Sequence, residues 1–230
     1  MTKQIAFVVY DGLTPLDLVG PLQVMSALER FAPEWKTVVV GEKLDVIGTD
    51  TPLRIAPSAT FSDVPSPYAF IVPGGEAPTL RAMYDDAIQG YVRTAAETAE
   101  VIGSVCTGAL ILAAAGLLEG RSATTHWAYA GLLAKFGARY ERARWVEDGK
   151  VITAAGVSAG IDLALHLAAK FAGEDLARFI QLGIEYDPQP PLGPMDYGLA
   201  TPELSAAALK MGLEEAFADR PELLAKLTAD

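Results

Sequence analysis

The fold class this sequence predicts is α/β, a mostly parallel sheet with helices on both faces, and two observations carry it. Apolar runs of strand length recur at residues 4–10, 36–40, 69–72 and 101–105. Between them lie longer stretches with helical apolar spacing or loop composition, the alternation expected when parallel strands are joined by helical crossovers. At 230 residues, 51% hydrophobic and 20% charged, the chain can bury a full core within one domain.

In chain order, the first helix is expected over 15–30. Thr14 stands at the N-cap position, Pro15 at the first helical position, and Asp17 three residues after the cap. Further helices are expected over 85–97, 107–117, 127–136 and 158–172, with weak to good amphipathic spacing. Residues 101–118 carry no charge, but Gly103, Ser104, Cys106, Thr107 and Gly108 interrupt them. They therefore read as a buried strand turning into a buried helix and not as a membrane span. Residues 144–146 and 151–154 flank Glu147-Asp148-Gly149-Lys150, whose Asp-Gly pair predicts a hairpin. Proline-rich 187–194 separates a main body, 1–185, from a helical extension, 186–230, with its last strong helical stretch at 202–218.

The 29 acidic residues outnumber 18 basic ones, for a net charge of −11, and the lysines and arginines form no stripe. Nucleic acid is excluded as a partner on that ground, since phosphate binding needs clustered cations. A lone cysteine, Cys106, allows no internal disulfide, and residues 1–11 lack the apolar core of a secretory signal. A cytoplasmic protein without membrane association is expected.

The chemistry concentrates where strand 101–105 runs into Ser104-Val105-Cys106-Thr107-Gly108 and then a helix. A nucleophile between small residues on a strand-to-helix turn is the nucleophile-elbow pattern, with cysteine in place of serine. The helix N-terminus behind it favours thiolate over thiol. Asp17 is either a capping acid or a functional group at the carboxyl edge of the sheet, where open α/β folds bind ligands. The second role applies if strands 4–10 and 101–105 are neighbours. Gly75, in Pro73-Gly74-Gly75-Glu76 after another strand, is a candidate oxyanion donor together with the Thr107 N–H. His126, in Ala123-Thr124-Thr125-His126-Trp127, could approach the sulfur or be a satisfied buried histidine. His166, four residues after Asp162, reads as half of a structural helical pair. No cluster of Cys, His and acids has metal-ligand spacing, and no glycine pattern suits a dinucleotide or phosphate loop. No metal or cofactor is expected.

Several segments together resemble the ThiJ/PfpI, class I glutamine-amidotransferase-like superfamily from Ile5 to about Gly183. They are Asp11 through Pro21, Val72-Pro73-Gly74-Gly75, Val105-Cys106-Thr107-Gly108-Ala109, Ala115 through Arg121, the Ala-Thr-Thr-His-Trp run, and Gly156 through Asp162. The resemblance implies a flavodoxin-like three-layer sandwich, a homodimer and no cofactor, with 1–185 as the catalytic domain. The peptidase-like branch has a histidine after the cysteine, where this sequence has Thr107; the glyoxalase and redox-protective branch has a glutamate where this one has Asp17. Both departures point to the branch that hydrates isonitriles. That branch implies Cys106 as nucleophile, Asp17 as acid/base and Thr107 beside them, with Gly75, Thr107 and His126 around the substrate. The same motifs occur in regulators that append a DNA-binding helix-turn-helix, a segment and a basic charge not expected here. The rival expectations are a glyoxalase-like or amidase-like enzyme using His126, or a non-enzymatic redox or ligand sensor reporting through Cys106.

Overall fold

Strand β1 (Lys3–Val8) opens the computed structural model, which describes residues 2–228. Residues 1, 229 and 230, the outer ends of the two predicted parts, lie outside the described residues. The chain continues through α1 (Pro15–Phe31), β2 (Trp35–Gly41), β3 (Ala59–Thr60), β4 (Ala69–Val72), α2 (Glu76–Ala82), α3 (Asp86–Thr98), β5 (Val101–Val105) and α4 (Gly108–Ala114). Then come β6 (Ser122–Ala123), α5 (Ala130–Lys135), β7 (Arg139–Tyr140), β8 (Trp145–Asp148), β9 (Val151–Ala154), α6 (Ala159–Ala172), α7 (Glu174–Gly183), α8 (Pro202–Ala216) and α9 (Pro221–Thr228).

Seven strands form one sheet in the order β3-β2-β1-β4-β5-β9-β8, parallel except where β8 meets β9. Helices α1, α6 and α7 pack together over one face; α2 to α5 cover the other, and α8 lies on α2. This is the expected three-layer flavodoxin-like sandwich. Strands β4 and β5 are buried at every position, as central parallel strands must be, which is why they read as unbroken apolar runs. Phe7, Phe70 and Ile71 on the central strands have no solvent exposure, and each contributes about 1.5–3 kcal/mol by burial.

Four expectations need correction. Strands β1 and β5 are not neighbours: β4 lies between them and pairs with both. The hairpin turns at Gly149-Lys150, one residue later than the Asp-Gly pair suggested, because Asp148 stays in the ladder opposite Val151. There its carboxylate accepts from Arg121 and from the Ser122 N–H. The helix expected over 127–136 is split into a 3₁₀ turn, Trp127–Tyr129, and α5, since the His126 ring accepts the Ala128 N–H and closes a tighter first turn. Helices α2, α7 and α9 add to the predicted set.

Beyond α7, the end of α8 and parts of the segment after it pack against the body. Phe217 is fully buried with its ring edge-on to Tyr84 at 5.8 Å, and Leu213, Ala216 and Leu227 are buried with it. Among the described residues no helix is long and apolar enough to cross a membrane.

Candidate active site

Cys106 sits between β5 and α4 with φ +57°, a conformation that costs an L-residue about 1–2 kcal/mol and persists only where its surroundings enforce it. Its N–H donates to the carbonyls of Ala154 and Ala155 at 3.1 and 3.0 Å, and its own carbonyl accepts the Thr125 hydroxyl at 2.9 Å. The helix behind it can start this close only because residue 108 is glycine: a Cβ there would lie 2.0 Å from the Val72 carbonyl oxygen. Two more non-glycine residues with positive φ stand close to the elbow, Glu76 at +41° at the start of α2 and Val157 at +28° in the loop before α6. Strain thus gathers at the carboxyl edge of the sheet.

Asp17 is fully buried and performs no capping; the Thr14 hydroxyl, too, leaves α1 uncapped and bonds Asp50. Its Oδ2 accepts the Gly74 N–H at 3.0 Å, whereas Oδ1 has no partner in standard hydrogen-bond geometry. The Cys106 thiol interacts with this carboxyl as a donor, but more loosely than an N–H or O–H would. Burial, relieved only in part by Gly74 and Cys106, raises the Asp17 pKa from 3.8 to about 7. Pro21, inside α1, also withholds the amide that would otherwise bond the Asp17 carbonyl.

The loop after β4 brings the two groups together even though β1 and β5 are not adjacent. Its Gly74 is so closely surrounded that a Cβ would meet Thr107 Oγ1 at 2.5 Å, Thr107 N at 2.6 Å and Asp17 Oδ2 at 2.9 Å. Gly74, not Gly75, is therefore the residue in the middle of the site.

The thiol departs from expectation. Burial first, then the Asp17 carboxyl, push the Cys106 pKa well above the ordinary thiol range, and the N–H groups of Val157 and Thr107 offset this only partly. Burial and the neighbouring carboxyl thus work against the pull of the helix terminus behind the sulfur.

Thr107 and Gly75 are at the site but joined to each other. The Gly75 N–H donates to Thr107 Oγ1 at 3.0 Å, Thr107 donates to Thr79 at 3.0 Å, Thr79 donates to Tyr10 at 2.8 Å, and Tyr10 donates to the Pro73 carbonyl at 2.8 Å. The expected oxyanion pair is thereby reduced, because the Gly75 N–H is already taken; Thr107 and Val157 present the backbone N–H groups that face the sulfur. His126 is half-buried, held by the Ala128 N–H on Nδ1 at 3.4 Å, and burial lowers its pKa. It is not among the groups that act on the thiol. His166 bonds Glu147 at 2.9 Å and not Asp162, which instead takes Arg144 at 2.6 Å. Val157, Gly74 and Thr125 were missed as site residues, although all three stand in the segments that carried the resemblance.

A cavity of about 220 Å³, smaller than the ~300–1,000 Å³ of pockets for drug-sized ligands, lies beside the elbow; Val157, whose N–H faces the sulfur, is in its lining, and Cys106, Asp17 and Thr107 are not. Its lining includes Ala155 and Val157 together with Leu16, Trp127, Met195 and Tyr197. A larger one, about 470 Å³ and lined by Arg81, Asp85 and Glu215, reaches none of Cys106, Asp17 or Thr107. Among the described residues no three Cys, His, Asp or Glu side chains gather where a metal could be held.

A parallel sheet with a strained cysteine elbow at its carboxyl edge, and a buried acid facing the thiol, defines the class of cysteine-elbow α/β proteins. The chain belongs to the DJ-1/PfpI family, whose sequence model matches residues 3–170. It is 41% identical over 191 residues to isonitrile hydratase from Pseudomonas putida, covering 83% of this chain and 82% of that one. It is also 37% identical over 113 residues to the HTH-type transcriptional regulator CdhR of Pseudomonas aeruginosa, but over 47% of this chain and 32% of the regulator. A solved ThiJ/PfpI family protein from Pseudomonas syringae matches 100% of this chain and 92% of its own, with a TM-score of 0.85 and 35% identity.

Proposed function

We propose that the chain is a hydro-lyase that adds water to an isonitrile to give an N-substituted formamide, with Cys106 as nucleophile and Asp17 as acid/base. The observation that carries this is the pairing of the buried Cys106 thiol with the buried Asp17 carboxyl, with no cation among the described residues acting on either. The relationship to the Pseudomonas putida enzyme supports it.

The terminal carbon of an isonitrile must receive both a nucleophile and a proton. As sulfur bonds to that carbon, the thiol proton passes to the Asp17 carboxylate, which hands it to the same carbon, giving the thioimidate R–N=CH–S–Cys106. Water then adds across the C=N bond, its proton going to nitrogen and its oxygen to carbon. Breaking the C–S bond releases R–NH–CHO and returns the proton to sulfur. A resting thiolate is unnecessary in this scheme, since attack and proton transfer are coupled through Asp17. The Thr107 and Val157 N–H groups stabilise the sulfur as it gains and sheds charge. The Thr107 hydroxyl holds the Gly74 loop in place, and His126 lines the substrate cavity without taking the proton.

The enzyme is proposed to act as a cytoplasmic homodimer, in keeping with the half-exposed Leu16 and Val19 on α1, an apolar patch beside the cavity. Incubation with methyl isonitrile, followed by NMR detection of N-methylformamide, tests the reaction. Turnover that survives Cys106→Ala removes the mechanism. Light scattering at micromolar concentration tests the dimer, and a monomer refutes it.

A further inference from the structure

The chain between α7 and α8 contributes Met195 and Tyr197 to the lining of this cavity, which they share with Leu16 and Trp127. Both residues lie beyond 170, where the match to the family's sequence model ends. Two arginines from the loop before β8 hold this segment. At its near end Tyr186 donates to Asp162 at 3.1 Å; Asp162 accepts Arg144 at 2.6 Å, and Arg144 in turn donates to Ser158 at 3.0 Å. At its far end the Arg142 guanidinium stands 5.1 Å from the Tyr197 ring centre, a cation–π contact, and Asp196 caps the 3₁₀ turn Tyr197–Leu199 through the Gly198 N–H at 2.8 Å.

An isonitrile is linear through R–N≡C, so with its carbon on the sulfur its substituent extends away from the elbow, and the adjacent space is this cavity, lined on the elbow's side by Ala155, Gly156 and Val157. We propose that Tyr197 and Met195, fixed by the Arg142 and Arg144 clamp, are specificity-determining residues that close the substituent pocket and select bulky apolar isonitriles over small ones. The inference rests on the isonitrile reading, but the wall can be tested apart from it. A thioether, two aromatic rings and a leucine offer dispersion and apolar burial. The one charged lining residue, Arg144, is already paired with Asp162 and does not call for an anionic substituent.

The experiment uses the whole chain and the variants Tyr197→Ala, Met195→Ala and Arg142→Gln. Two ratios are measured: kcat/KM for benzyl against methyl isonitrile, and the alkylation rate of Cys106, the lone thiol, by N-benzyliodoacetamide against iodoacetamide. For Tyr197→Ala each ratio is expected to fall about tenfold, with the hydration change in KM, as suits the loss of an aromatic wall. A fall of about threefold is expected for Met195→Ala and for Arg142→Gln, which releases Tyr197 without touching the cavity. Unchanged or raised ratios overturn the inference. If the wild-type chain hydrates neither isonitrile, the reaction assignment fails and the alkylation ratio alone decides the wall. Met195→Ala, at a site 61% exposed, keeps the test open should Tyr197→Ala fail to fold.

Discussion

Helices α1 and α6 cross on one face of the sheet, and each has an aspartate in its first turn. Asp162 stands at the rim with a guanidinium at 2.6 Å and a phenol at 3.1 Å. Asp17 lies at zero exposure with a backbone amide and a thiol for company. A helix N-terminus favours negative charge by about 0.3–1 kcal/mol, and both acids enjoy that benefit. Asp17, buried away from water, nevertheless has its pKa raised to about 7. The shared position at a helix start therefore decides little; the presence or absence of a cation and of water decides whether the acid is a strut or a reagent.

Asp17→Asn is the strongest test of this contrast. Turnover is expected to drop about 10²–10⁴-fold, the range for losing an acid/base group, while a dead Cys106→Ala marks the floor. Activity within a few-fold of wild type would sink the role given to Asp17. Folding raises the Asp17 pKa from 3.8 to about 7, so its favourable contribution is complete below about pH 4 and is lost as pH rises through about 7. The variant should accordingly melt with wild type at pH 4 and above it at pH 8. The difference is up to about 4 kcal/mol at 1.36 kcal/mol per unit. A variant that is less stable at pH 8 points instead to a structural carboxylate.

The pH dependence of wild-type kcat/KM is the next largest effect. Because the carboxylate form takes the thiol proton, the rate is expected to rise with pH to a plateau, with a midpoint near 7. A falling limb there would require Asp17 to act first as an acid. On the other side of the comparison, Asp162→Asn is expected to lower stability by about 1 kcal/mol, as suits a partly solvated ion pair, without moving that midpoint. Smallest of all, His126→Ala should keep turnover within about tenfold; a dead variant with an unchanged melt would transfer the proton chemistry to histidine.

Much of this was legible in the residues because it is local. The buried strands announce themselves as apolar runs, and the elbow as a cysteine between small residues. What stayed hidden depends on pairing across the chain. That β4 separates β1 from β5 follows from register, so Gly74 as the bridge between Asp17 and Thr107 had no local signal beyond a Gly-Gly pair. Helix α7 was missed because Gly173, at φ +90°, ends α6 and starts α7 at one residue, leaving no loop or polar cap to mark a boundary. The thiol was misjudged for the opposite reason: the helix terminus behind Cys106 can be read from sequence, whereas its 4% exposure and the proximity of Asp17 cannot.

The hydrogen bonds running from the Gly75 N–H through Thr107, Thr79 and Tyr10 end on the Pro73 carbonyl, two residues from where they began. Each hydroxyl gives to the next and receives from the one before, so the three protons share a single direction of circulation around the loop. Such a circuit is all-or-none under mutation. Removing one hydroxyl strands a donor on one side and an acceptor on the other, both buried, whereas removing a second adjacent hydroxyl adds fewer new orphans than the first. Thr79→Val and Tyr10→Phe should thus be markedly sub-additive in a double-mutant cycle. Drift at any of these positions is therefore constrained by the other two, although none of the three is asked to touch the substrate.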